Sequence, residues 1–141
     1  MLIFNVNIVK TSADENIIST IPITKFVKNR YITLASRDGM IKRTPLDEFK
    51  VQRYTKPITC MKLKGDDKVI AATIEDGNYV FVTTHGGYGL CYKTDEISAT
   101  GVRSSGVKSV SLKNDYVVGT FLFSDANDYL GLVTNKNTGK R

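Results

Sequence analysis

Tryptophan is absent from this 141-residue sequence, histidine occurs once and cysteine twice, and no apolar run approaches the length of a membrane span. A spanning helix needs about 20 consecutive apolar residues. Met1-Leu2-Ile3-Phe4-Asn5 also lacks the basic start and apolar centre of a secretory signal, so the expected location is cytoplasmic. Cys60 and Cys91 stand 31 positions apart, each inside an apolar run, with no CxxC and only His85 as a further soft ligand. That pattern suits two buried reduced thiols better than a metal centre. His85 has no acid or nucleophile at a suggestive spacing and reads as a turn residue. Amphipathic helices are missing too: the polar breaks at Asp47-Glu48 and Asp95-Glu96 fit at most one turn. No metal, cofactor or catalytic constellation is expected.

What is present is enough apolar material, 41% of residues, for one ordinary domain, which at this length buries roughly two-thirds of its unfolded surface. Charge is unevenly spread. Residues 25–56 hold nine bases against three acids, a net of +6 that equals the charge of the whole chain. A local excess of this kind suits a polyanion such as nucleic acid, because Lys and Arg at phosphates release condensed counterions. A solvated basic face is the alternative.

The chain repeats itself. Ser36-Arg37-Asp38-Gly39, Thr84-His85-Gly86-Gly87 and Thr134-Asn135-Lys136-Asn137 recur at intervals of 48 and 50 residues. Each follows an alternating apolar run, beginning at Tyr31, Tyr79 and Tyr129. Asp-Gly between β-prone runs is a hairpin signal, because the turn needs positive φ. Gly86-Gly87 and Asn137 fill the same slot in the other two copies. A second landmark is an acidic turn, at Asp14-Glu15, Asp66-Asp67 and Asn114-Asp115. Its recurrence with the repeat favours a turn over a metal ligand set. Further strands are expected at Ile58–Leu63, Lys68–Ile74, Val107–Leu112 and Tyr116–Phe123. That makes about four strands per period, the count of a propeller blade.

The expected fold is therefore all-β, with propeller-like blades of about four antiparallel strands in an incomplete ring. Residues 1–141 read as one segment: a partial repeat 1–24, repeats 25–73 and 74–123, and a partial repeat 124–141. Two and a half repeats leave open strand edges, which natural proteins avoid, so a longer parent protein is expected. The absence of tryptophan argues against WD-type blades, and Gly-Gly in only one repeat argues against kelch-type ones.

Ile32 to Phe49 follows an order of apolar strand, S-x-x-G-x-x-K-R (Ser36 to Arg43) and acidic-apolar step, and Gly101 to Leu112 reads as a linker with a G-V-x-x-V-x-L core. In this the whole chain resembles the C-terminal domain of the A subunit of bacterial type IIA topoisomerases, DNA gyrase and topoisomerase IV. The resemblance implies a β-pinwheel whose blades exchange a strand. It further implies that duplex DNA wraps on a basic rim and is presented to an ATP-dependent catalytic core for decatenation or supercoil relaxation, with the B subunit engaged through the rest of the parent. The Gln/Arg/Gly-rich box of the gyrase branch is not seen, which tilts the resemblance toward topoisomerase IV. A protein-interaction propeller binding an acidic partner is the alternative.

If the rim reading holds, Lys42 and Arg43 lie three and four residues after the hairpin glycine, and Lys140 and Arg141 lie at the same offsets after Asn137. One of each pair is expected to point outward. Leu90 and Cys91 fill these offsets in the middle repeat, which is expected to contribute little. Lys50, Arg53 and Lys56 fall in the first linker, Arg103 and Lys108 in the second. Arg53-Tyr54-Thr55 matches the surroundings of the family's DNA-cleaving tyrosine only superficially. Tyr54 lies in a β-repeat linker, and Lys56 replaces the acidic residue expected next, so no catalytic residue is expected.

Overall fold

Three hairpins carry the repeat. The structure is a computed structural model that describes residues 12–50, 57–74, 76–125 and 127–141. The hairpins are β1 (Tyr31–Ser36) with β2 (Met40–Pro45), β4 (Tyr79–Thr84) with β5 (Gly89–Lys93), and β8 (Leu132–Val133) with β9 (Gly139–Lys140). β3 (Val69–Thr73), β6 (Val107–Lys108) and β7 (Val117–Phe123) complete the described strands. Every strand pairing is antiparallel, so the all-β expectation holds. Single turns of 3-10 helix at Leu46–Phe49 and Thr94–Glu96 fill the two polar breaks.

The three turns share one backbone solution. Gly39, Gly87 and Asn137 take φ of 87°, 86° and 60°, the left-handed region that glycine and asparagine tolerate. A hydroxyl begins each turn and accepts an amide four residues on: Ser36 from Met40 at 3.1 Å, Thr84 from Tyr88 at 3.2 Å and Thr134 from Thr138 at 3.4 Å.

Two acidic turns reach back to lock the first and second hairpins. Asp67 Oδ1 accepts from the amides of Asp38 (2.9 Å) and Lys68 (2.8 Å). Asp115 Oδ1 accepts from Gly86 (2.9 Å) and Tyr116 (2.8 Å). Backbone bonds repeat the same link, from Arg37 N to Lys68 O and from His85 N to Tyr116 O. The Asp115 carboxyl is held below the usual carboxylate range, chiefly by the Thr84 hydroxyl and further by the Tyr116 and Gly86 amides. A depressed folded value means the latch is fully formed above the ordinary Asp pKa and is lost as pH falls through the lower folded one. Hydrogen exchange at Gly86 and Tyr116 should accelerate relative to the core below about pH 4. Protection unchanged down to about pH 2 would sink the latch.

Two sheets follow, ordered β3-β1-β2-β6 and β7-β4-β5. Here the strand exchange that the resemblance implies is present, and the count of four strands within one period needs correction. Four strands do not come from one period: the first blade takes three from its own repeat and its outer strand, β6, from the next. The pairing is Met40 with Lys108 and Ile41 with Val107. Ile58–Leu63 is not a strand, and the expected Val107–Leu112 strand is reduced to Val107–Lys108.

Strand alternation sends successive side chains to opposite faces, and both faces of the first blade are covered. Ile32, Leu34, Leu46 and Met61 form one core, with Cys60 and Leu63 packed on it. Ala35 and Ile41 join Val80, Val82, Ile97, Val117 and Leu122 in the core between the two blades. Cys60 is half-buried and Cys91, on β5, is exposed, so the expectation of two buried thiols fails for Cys91.

Candidate nucleic-acid interface

Lys42 departs most from expectation. It sits on β2 between Ile41 and Arg43, opposite Leu34, and is fully buried at 0% exposure. Its ammonium donates to the carbonyls of Cys60 (2.7 Å), Val102 and Ser104 (3.4 Å). Desolvation lowers its pKa below the ordinary lysine value, opposed by the nearby Cys60 and Glu48. A cation so enclosed cannot meet a phosphate. Lys42 instead fastens β2 to two linkers, the one before β3 and the one leading into β6.

Arg43 leaves the opposite face toward the second blade. Its guanidinium donates to the Thr94 carbonyl at 2.7 Å and lies over the Tyr31 ring, 4.3 Å from its centroid. It is half-buried in a cleft between blades rather than on a rim.

The outer edge of the first blade is where exposed cations gather. The linker that feeds β6 runs beside β2, with the Thr100 amide on the Arg43 carbonyl at 2.8 Å. Glu48 steadies it by accepting from the Val102 amide at 3.2 Å. Arg103 and Lys108 are exposed along this edge, and Lys50 is exposed just after the neighbouring 3-10 turn. Lys62 and Lys64, which the repeat pattern does not single out, stand beside them. The Lys62 amide donates to the Ser104 carbonyl at 3.0 Å. Lys62, Lys64, Ser105 and Gly106 border one groove of about 340 Å³. Their signal was available: in Met61-Lys62-Leu63-Lys64 the apolar residues turn inward, leaving both lysines exposed.

Lys140 and Arg141 are exposed on the third hairpin, a separate two-stranded sheet, with Arg141 over the Tyr129 ring at 4.5 Å. Arg53 and Lys56, like Tyr54, lie outside the described residues. Among the described residues no group of three or more His, Cys, Asp or Glu side chains is placed to hold a metal. Nor is any described helix long and apolar enough to cross a membrane.

The chain has clear relatives. A family model described as the DNA gyrase C-terminal domain, beta-propeller, matches residues 30–74 and 78–124. The A subunit of DNA topoisomerase 4 from Bacillus subtilis (strain 168) is 35% identical over 136 residues, which are 96% of this chain and 17% of that protein. Its counterpart in Staphylococcus epidermidis is 36% identical over 136 residues, 95% of this chain and 17% of its own length. Among solved structures, the C-terminal domain of DNA topoisomerase IV superposes with a TM-score of 0.89 at 40% identity, covering 96% of this chain and 42% of that one. The DNA gyrase A C-terminal domain superposes at 0.77 with 21% identity, covering 94% and 44%, a likeness of fold alone.

Proposed function

The chain belongs to the family of DNA gyrase C-terminal β-propeller domains, found in the A subunits of type II topoisomerases, and from that premise we propose that it binds and wraps duplex DNA for such an enzyme. The chain spans 17% of the length of the topoisomerase 4 subunits it matches. Strand passage, ATP use and engagement of the B subunit are accordingly proposed for a parent protein, with decatenation or supercoil relaxation as the outcome. The topoisomerase IV branch is favoured by 40% identity to that structure against 21% to gyrase. A cytoplasmic, nucleoid-associated location accords with this role.

The observation that carries the reading is the outer edge of the first blade. Lys62, Arg103 and Lys108 are exposed there on segments tied together by backbone bonds. Cations fixed on a strand edge contact phosphates without reading bases, so the binding is sequence-tolerant. Wrapping must also offset elastic bending, about 1–6 kcal/mol over 20–30 base pairs, which calls for several contacts per blade.

The test is binding of a long duplex across a salt series. Each neutralised phosphate contributes about −0.9 to the slope of log K against log salt. Three or more contacts predict a slope of about −3 or steeper. A folded chain with a slope near zero, or one that prefers an acidic polypeptide to DNA, overturns the reading in favour of a protein partner.

A further inference from the structure

We propose that Gly106 is a positioning residue for the DNA-binding edge, holding Arg103 and Lys108 of the second repeat in place on the first blade. The inference rests on the DNA reading above and adds to it what fixes those cations. Both are exposed. The strand order β3-β1-β2-β6 puts Lys108 on the outer strand of the first blade, paired with Met40. Arg103 lies just before it, on the crossing that leads there from the second hairpin.

The crossing is pinned to β2 on both sides of Gly106. Before it, the Thr100 amide donates to the Arg43 carbonyl at 2.8 Å, and the Val102 and Ser104 carbonyls accept from the Lys42 ammonium. After it, the Ser109 amide donates to the Gly39 carbonyl at 2.8 Å. Ladder bonds of an antiparallel pair alternate, so Ile41 with Val107 is the next bonded pair along. Gly106 falls between these anchors, where the two backbones come close.

Only glycine fits there, for two separate reasons. Its φ is 80°, in the left-handed region that a Cβ makes costly. A Cβ would also overlap the Ile41 carbonyl oxygen and stand 2.9 Å from the Cβ of Lys42. Neither obstacle can yield. Ile41 is 1% exposed and Lys42 0%, and both belong to a strand held between β1 and β6. The crossing, exposed at Gly101 and Arg103, is the side that moves. A side chain at position 106 therefore lifts the outer segment off β2 and carries Arg103 and Lys108 with it. The charges remain in the chain, but their places on the blade are lost. The second hairpin supplies a comparison. Gly87 has a φ of 86° with nothing within 4 Å of a Cβ, so alanine there bears the backbone strain without the crowding.

The experiment measures duplex binding by the 141-residue chain across a salt series. Gly106→Ala keeps every charge, yet its slope of log K against log salt should be shallower than the parent's by about 1.8, the value of two phosphate contacts. Gly87→Ala should keep the parental slope. Arg103→Ala with Lys108→Ala should match Gly106→Ala, and combining all three should change the slope no further. Such non-additivity marks residues that act through one contact, whereas a merely structural glycine would add a loss of its own. Val107→Pro, at an exposed position, removes the amide that bonds Ile41. It should reproduce the effect of Gly106→Ala, and it decides the matter if the alanine variant does not fold. The parental slope in either folded variant, or a further loss in the combined one, overturns the proposal. A parental chain whose own slope is near zero overturns the DNA reading, and the positioning role falls with it.

Discussion

Replacing Lys42 by alanine is expected to lower the unfolding free energy by about 3 kcal/mol, a large part of the roughly 5–15 kcal/mol that holds a typical domain. The side chain is fully buried, and its ammonium serves carbonyls from two linkers. Truncation deprives Cys60 and Val102 of that donor, at about 1–3 kcal/mol for each carbonyl left unsatisfied. A cavity adds to the cost. Against this, the penalty for burying the ammonium disappears. That penalty is visible in the lowered pKa, which burial drives despite opposition from Cys60 and Glu48. Lys42→Met keeps most of the volume and isolates the hydrogen-bond contribution. Urea midpoints measure both, and a loss below about 1 kcal/mol in each variant would show that the buried ammonium fastens nothing. The pH dependence has a definite sign. A lowered folded pKa means the unfolded chain holds the proton to higher pH, so stability rises with pH between the folded value and the ordinary lysine value of about 10.4. Lys42→Met should abolish that rise.

The turns were legible and the partners were not. Asp38-Gly39, Gly86-Gly87 and Asn137 announced a positive φ that sterics allow few residues, and all three took it. The acidic turns were readable as turns because they recur. Their long reach, Asp67 to the Asp38 amide and Asp115 to that of Gly86, was not, since spacing does not state what a carboxylate caps. Strand exchange between blades was implied by the resemblance, but which strand is exchanged was not readable, for the same reason. Alternation tells which face of Val107 and Lys108 is apolar, not that β2 of the preceding repeat is their partner. Lys42 misled because a basic dipeptide was read as charge on a surface. Both faces of β2 are covered, by the core containing Met61 on one side and the second blade on the other, so neither residue of the pair projects freely. Lys62 and Lys64 were overlooked because Asp66 and Asp67 cancel their charge in any window that also spans the acidic turn.

The same geometry separates stability from binding. Lys62, Arg103 and Lys108 are exposed, and none of their side chains belongs to a described ion pair. Changing all three to alanine should therefore leave the urea midpoint within about 0.5 kcal/mol of the parent. Its effect belongs on DNA. Three lost phosphate contacts make the slope of log K against log salt shallower by about 2.7, and affinity at low salt falls on the order of a hundredfold. Lys42→Met is the counterpart. Measured well below its unfolding transition, it should keep the parental slope, because a buried ammonium displaces no counterion from DNA. The opposite pairing of results, a parental slope in the triple variant and a shallower one in folded Lys42→Met, would move the DNA path off this edge. The Lys42 side chain would then have to leave its three carbonyls when DNA arrives. With both variants measured on both axes, the outer strand donated by the next repeat is tested as a place where one repeat's cations are carried on its neighbour's blade.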